Sequence, residues 1–382
     1  MDFTLTDEQT MLRDAVQSYL AGRYPLVESR SAARSAERWQ PAVWQAFAAE
    51  LGILAALVPE SLGGLGGGPE EMMVITEALG GTLVVEPYTG TAVVGAALVR
   101  GSGGAAADAL CASIAEGGAR IAFALTEPES GREPWDVGTT AVRDGDDYVL
   151  TGVKIVVGDL PLATHLIVAA RTAGERLDRE GLSLFLLDFD AATPPTGITA
   201  HYFRTIDDHH TGDLELAGVR VPASALLGVE GGAWEVVERA LDDGTAAVCS
   251  EAVGIMRRVV AETVEYAKQR RQFGVPIGSF QALQHRMVDM SLELEQAVAA
   301  TYLAVLNLDA DPRTRRRAVS AAKITIARAA RFVGQNAVQL HGGMGMTEEL
   351  AIGHCFKRLT AIETEFGSAT DHLRRYAEAT AD

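Results

Sequence analysis

The chain has 382 residues, 48% of them hydrophobic and 22% charged, which argues against disorder and for two or three folded domains. Its 33 basic and 51 acidic residues leave a net charge of −18, which argues against nucleic acid or an anionic membrane as a general partner. Cys111, Cys249 and Cys355 are far apart, with no CxxC and no histidine at ligand spacing, so the pattern fits a reducing compartment and no metal site.

The N-terminal stretch MDFTLTDEQTMLRDAV is acidic and amphipathic and lacks the apolar core of a signal peptide. Thr6 and Gln9 have capping-box spacing, and Met11, Leu12, Val16, Tyr19 and Leu20 follow at helical intervals. Trp44, Phe47, Leu51 and Ile53–Leu57 give a second apolar face. The glycine-rich stretch Leu62–Pro69 interrupts helix, and Met72–Leu79 and Thr89–Val99 resume it. Thr91–Val99 ends at Arg100, too short to span a bilayer, so a cytoplasmic protein without membrane insertion is expected. This helical region runs to about residue 118.

After Gly117–Gly118 the pattern changes. Ile121–Leu125, Thr139–Arg143, Tyr148–Val157, His165–Arg171, Leu182–Leu187 and Gly212–Leu216 are β-branched or alternating runs. Asp144–Asp147, Gly158–Pro161 and Thr193–Gly197 separate them as turns. Short strands at this spacing predict a small barrel or sandwich. From about Ala233 the chain is helical again. Ala252, Val253, Met256, Val259, Val260 and Val264 form a stripe, and Leu283–Leu306 and Ala318–Leu340 are long enough for a four-helix bundle. The basic run Arg313–Arg317 reads as a solvated helix start after Asp311–Pro312.

Two C-terminal segments could carry chemistry. Tyr266–Ile277, YAKQRRQFGVPI, ends a helix in a basic pair followed by Phe273–Gly274 and Pro276. Arginines there can complement the helix dipole or grip a phosphate through paired hydrogen bonds. Gln339–Met346, QLHGGMGM, allows close backbone approach to a pyrophosphate, but glycine also simply ends helices. It is neither a Walker loop nor a GxGxxG turn.

Together, RRQFGVPIGSFQALQHRMVDM (Arg270–Met290), VQLHGGMGMTEE (Val338–Glu349), LTEP (Leu125–Pro128) and LAGVRVPASALLG (Leu216–Gly228) resemble the acyl-CoA dehydrogenase family along the whole chain. The resemblance implies an α+β multidomain fold: an N-terminal α-helical domain over 1–118, a middle β-barrel over 119–228 and a C-terminal four-helix bundle over 229–382. It also implies FAD-dependent α,β-dehydrogenation of an acyl-CoA thioester. A carboxylate takes the α-proton, flavin N5 takes the β-hydride, and hydrogen-bond donors stabilise the developing enolate.

Carried over residue by residue, the resemblance assigns Arg270, Gln272 and Phe273 to FAD phosphate and adenine across a subunit boundary. Gln281, Gln339, Gly342 and Gly343 belong to the same cofactor arm. Thr126 matches a flavin-ring contact, and Ser368 a hydroxyl near the C-terminal base. Asp242 matches a pantetheine contact, although an acidic residue near a helix start is also ordinary capping. Of the histidines, His209–His210 read as a solvated loop and His285 as a buried or interface residue. His341 and His354 flank the cofactor motif.

Three departures stand out. After LTEP the family continues with a Gly-Ser-Asp turn, but here ESGREPWD places Arg132–Glu133 there. The family's flavin-stacking tryptophan aligns with Val156, followed by Gly158, a loss of about 1 kcal/mol of cofactor contact. The catalytic glutamate is missing from both family positions: Phe366 precedes Gly367, and the alternative site aligns with Gly244. Asp243 and Glu365 are each one residue displaced, which on a helix turns a side chain by about 100°.

The tail GHCFKRLTAIETEFGSATDHL is similar to small subunits of pimeloyl-CoA-type dehydrogenases. In order of preference, the chain is one subunit of a heteromer whose paralogous partner supplies the base, a self-sufficient homotetramer using Asp243, Asp242 or Glu365, or a silent scaffolding subunit completing a partner's FAD site. A nitroalkane-oxidase-like or monooxygenase relative is a further alternative. An electron-transfer flavoprotein is the acceptor the resemblance implies.

Overall fold

The computed structural model describes residues 5–131 and 133–381. Met1–Thr4, at the start of the N-terminal segment, and Arg132, in the lengthened turn, lie outside the described residues. The helices are α1 (Asp7–Arg23), α2 (Leu26–Ala33), α3 (Pro41–Ala49), α4 (Pro69–Thr82), α5 (Ala96–Ser102), α6 (Ala105–Ala115), α7 (Trp234–Gln269), α8 (Gln281–Val305), α9 (Pro312–His341), α10 (Ala351–Ile362) and α11 (Ala369–Glu378). The strands are β1 (Ile121–Ala124), β2 (Thr140–Asp144), β3 (Asp147–Gly158), β4 (His165–Arg171), β5 (Leu182–Asp188), β6 (Ile198–Arg204), β7 (His210–Pro222), β8 (Leu226–Leu227), β9 (Arg271–Gln272) and β10 (Val275–Pro276).

The chain divides into two compact units that interleave in sequence. One comprises Met1–Arg30, Pro69–Val84 and Thr245–Asp382; the other comprises Ser31–Gly68 and Val85–Gly244.

The first unit is helical. The Thr6 hydroxyl accepts from Gln9 N at 3.2 Å while Gln9 Oε1 accepts from Thr6 N at 3.1 Å, so the capping box forms and starts α1. Helices α4 and α7 meet backbone to backbone. A Cβ on Gly80 would lie 2.3 Å from Glu251 O, and one on Gly254 only 1.9 Å from Glu77 O, so only glycine permits the crossing. Asp311 caps α9 by accepting from Arg313 N and Thr314 N at 3.0 and 3.1 Å, which makes the basic run a helix start as expected.

The second unit is built on an eight-stranded sheet in the order β6-β7-β3-β2-β4-β5-β8, with β1 added parallel to β4. Alternating residues Leu150, Leu166, Val168, Leu214 and Leu216 bury themselves on its inner face, around Tyr148 edge-on to Phe185 with centroids 5.0 Å apart. The segment read as a helix over Thr89–Val99 opens as a π-turn, Thr89–Gly95, before α5. Thr91 Oγ1 accepts from Ile121 N at 2.9 Å and fastens that turn to β1. Strand β6 was not anticipated, because Ile198–Arg204 is a half-exposed edge strand with little apolar patterning.

Candidate functional site

In the helical unit, the two cofactor-like segments meet. Tyr266, in the last turn of α7, stacks on His341, the last residue of α9, with ring centroids 4.3 Å apart and 26° between planes. Arg270 follows one turn after Tyr266, its N–H bonded to Tyr266 O at 2.8 Å. Beyond it, β9 and β10 form a hairpin whose two turn residues, Phe273 and Gly274, have φ of 52° and 84°, the sense of a type I′ turn. A phenylalanine in that conformation is strained, and Phe273 is 92% exposed. An exposed, strained aromatic at a turn is a poor choice for stability alone, and fits a residue kept for contact.

Arg270, Gln272, Gln339 and Gln281 are all exposed, and neither Arg270 nor Gln339 has a side-chain hydrogen bond or ion pair among the described residues. A Cβ added at Gly342 or Gly343 would meet nothing within 4 Å, so the backbone there faces open space. A guanidinium, two or three amides and an open glycine backbone are a donor set suited to a pyrophosphate and a purine.

In the sheet unit, the LTEP turn is held by a buried ion pair that the sequence reading missed. Lys154 on β3 is fully buried and donates to Glu127 Oε1 at 2.7 Å and to Leu125 O at 3.0 Å. Glu127 also accepts from Gly138 N at 2.7 Å and Thr139 N at 2.9 Å. Burial raises the Glu127 carboxyl, but the Lys154 ammonium and Thr139 outweigh it and hold the group below its ordinary range. Burial pushes Lys154 down to about 8 against the pull of Glu127. Thr126 O accepts from Ile155 N at 2.9 Å, leaving the Thr126 side chain exposed. Next to it β3 bulges: the pairing with β7 slips between Lys154 and Val157, and Val156 takes φ 51° with 60% exposure.

The lengthened turn packs tightly. Gly131 N donates to Asp136 Oδ2 at 2.6 Å, and Asp136 pairs with Arg176. Trp135 lies edge-on to Trp234 with centroids 5.0 Å apart, and the Arg179 guanidinium sits 4.2 Å over the Trp135 ring. The Trp234 indole N–H is buried without a hydrogen-bond partner among the described residues.

The two candidate bases have different surroundings. In the helical unit, Glu365 Oε2 lies 2.9 Å from Arg358 Nη1, and Arg358 is also gripped by Glu251 on its Nε and Nη2. Lys323 Nζ donates to Glu365 O at 2.7 Å, and His372 Nε2 to Phe366 O at 2.9 Å. Phe366 and Gly367 have φ of 57° and 105°, so the chain turns sharply here. Ser368 caps α11, with its hydroxyl donating to Asp371 Oδ2 at 2.6 Å.

In the sheet unit, Asp242 and Asp243 lie well inside α7, several residues past its start at Trp234, so ordinary capping does not explain them. Asp242 is fully buried and Asp243 is 6% exposed. Asp243 Oδ1 accepts from Arg239 Nε at 2.9 Å. Burial pushes the Asp243 carboxyl up to about 6 despite Arg239.

The histidines sit in different surroundings. His210 is buried rather than a solvated loop residue, with Nε2 bonded to Ala33 O at 2.8 Å, and burial lowers its pKa. His285 is exposed. His341 and His354 are both buried. The cysteines are buried thiols, with Cys249 and Cys355 pushed up to about 12 by burial. Among the described residues, no helix is long and apolar enough to cross a membrane and no cluster of His, Cys, Asp or Glu is placed to hold a metal.

Family models for the acyl-CoA dehydrogenase N-terminal, middle and C-terminal domains match residues 6–115, 122–219 and 231–380. The chain is 29% identical over 356 residues to acyl-CoA dehydrogenase FadE12 of Mycobacterium tuberculosis, covering 92% of this chain and 90% of that protein. It is 29% identical over 312 residues to the caffeyl-CoA reductase–Etf complex subunit CarC of Acetobacterium woodii, covering 81% and 82%. The ChsE4–ChsE5 complex of Mycobacterium tuberculosis superposes with a TM-score of 0.88 at 27% identity, covering 100% of this chain and 99% of that one.

Proposed function

Since the chain belongs to the acyl-CoA dehydrogenase family, a family of FAD-dependent oxidoreductases acting on acyl-CoA, we propose that it is one subunit of a cytoplasmic, two-chain acyl-CoA dehydrogenase whose paralogous partner supplies the catalytic base. Phe366 before Gly367 carries this reading. The residue at that place has no titratable group, and the neighbouring Glu365 carboxylate is held by Arg358. A missing general base costs a factor of about 10²–10⁴, so a chain built this way needs the group from elsewhere. The likeness to a complex of two such chains, ChsE4–ChsE5, supports the pairing.

When bound, FAD supplies the hydride acceptor. The residues of this chain do the positioning. Arg270 neutralises pyrophosphate charge, Gln272, Gln281 and Gln339 offer amides to the adenosine half, and Phe273 lends an apolar face. Gly342 and Gly343 let the ligand approach the backbone. Thr126 offers a hydroxyl to the ring half, and Ser368 steadies the tail turn as a helix cap. Asp242 hydrogen-bonds the pantetheine arm of the acyl-CoA. Dehydrogenation is the direction we assign, with an electron-transfer flavoprotein as acceptor, although CarC, a relative named for reduction, is 29% identical.

A second reading has one observation behind it. Asp243 is buried and its carboxyl is pushed up to about 6, the range of a working general base, so a homotetramer could use it without a partner. Expressing the chain alone and with a neighbouring paralogue, then quantifying flavin per chain by visible absorption, separates the two. The two-chain reading expects a colourless or flavin-poor lone chain and a yellow complex. One flavin per chain in the lone protein, bleached by an acyl-CoA, would refute it.

A further inference from the structure

We propose that Tyr266 and His341 are positioning residues that lock the hairpin carrying Arg270, Gln272 and Phe273 and the Gln339–Gly343 segment into one cradle for the adenosine-diphosphate half of FAD. This rests on the reading that the helical unit holds that half of the cofactor.

The two segments are far apart in sequence and come from different helices. Each is exposed, and each carries long polar side chains whose ordering opposes binding. A ligand that touches both is held only if their separation is preset. The Tyr266–His341 contact does this at the last turn of both helices. Tyr266 lies one turn before Arg270, and His341 directly precedes Gly342. The rings stack at 4.3 Å, and Tyr266 Oη donates to His341 O at 3.3 Å, so both faces and main chain are engaged. His341 is 5% exposed, and its Nδ1 bonds to Ala337 O at 2.9 Å, which fixes the rotation of its ring. On the hairpin side, Ile277 N donates to Arg270 O at 2.8 Å and closes the base of the turn. Neither Tyr266 nor His341 needs to touch the ligand to set where the donors stand.

The test compares FAD, ADP and flavin mononucleotide binding to the full chain in the oligomer in which it holds flavin, together with melting temperature. Tyr266→Leu and His341→Leu are expected to weaken FAD and ADP about tenfold each, with flavin mononucleotide, which lacks the adenosine half, unchanged. The double variant should be no worse than either single one, because both remove one stack. Tyr266→Phe keeps the stack, loses the Oη bond and should weaken FAD less than about threefold. Where leucine prevents folding, His341→Asn keeps a donor for the Ala337 carbonyl and removes the stack, and it should show the same loss.

Unchanged FAD and ADP affinity in folded variants would overturn the proposal. So would a parallel loss of flavin mononucleotide, which would mark general loosening. Arg270→Gln reports separately: if it leaves FAD and ADP affinity intact, the cradle itself is misassigned.

Discussion

Arg358 and Glu365 form an ion pair, Nη1 to Oε2 at 2.9 Å, beside a two-pronged grip of Glu251 on the same guanidinium. Arg358 and Glu251 are both nearly fully buried, whereas Glu365 is partly open to solvent. The tail turn is thus tied by charge within the helical unit, and the Glu365 carboxylate is paired with Arg358.

Replacing Arg358 with methionine should therefore cost about 3–5 kcal/mol, since it removes the two-pronged guanidinium grip on a buried Glu251. Chemical denaturation would show this as a fall in midpoint with unchanged slope. Glu365→Gln, acting on a partly exposed partner, should cost under about 1 kcal/mol.

The Lys154–Glu127 pair makes a parallel prediction in the sheet unit. Lys154→Met leaves a buried carboxylate without its ammonium and should destabilise by about 3–5 kcal/mol. Adding Glu127→Gln removes the stranded charge but keeps an acceptor oxygen for only one of Gly138 N and Thr139 N, so the double variant should recover part of the loss. A double variant as unstable as the single would contradict the ion-pair account.

Asp243 gives a pH signature. Its folded pKa, about 6, stands above the ordinary 3.8, so the folded chain holds the proton more tightly than the unfolded one. The stability this contributes is complete below the ordinary value and lost as pH rises through about 6. Near pH 7 the buried charge then costs about 3 kcal/mol relative to a neutral isostere. Asp243→Asn should melt higher than wild type at neutral pH, with the gap closing as pH falls towards 4. A gap independent of pH would contradict a carboxyl raised by burial.

Val156 is a β-branched residue in the left-handed region, which costs about 1–3 kcal/mol. Val156→Gly should raise the melting temperature by a degree or more, with the bulge retained. A fall would mean that the Val156 side chain has packing that its exposure hides.

The parts legible in sequence were those set by neighbours along the chain. The Thr6–Gln9 capping box, the helix start after Asp311–Pro312 and the alternation of β3 are local, and the structure has them, whereas β4 is buried along nearly its whole length. Edge strand β6 was not legible because Ile198–Arg204 buries too little to leave a pattern. The site divides the same way. The motifs around Arg270 and Gln339 carry the family resemblance, but Tyr266 on His341 joins residues in separate helices that no spacing rule connects. Lys154 likewise reads as one polar position in an alternating strand until Glu127 folds onto it. The commitment of Glu365 to Arg358 needed both side chains in place.

The most direct measurement is the reductive half-reaction of the assembled two-chain complex, followed by flavin bleaching on rapid mixing with an acyl-CoA. It would carry Asp243→Asn or Glu365→Gln in this chain. If the partner supplies the base, both variants bleach within about threefold of wild type, while neutralising the partner's carboxylate slows the step by about 10²–10⁴. A loss of that size from Asp243→Asn in this chain would contradict the account and make this subunit its own catalyst.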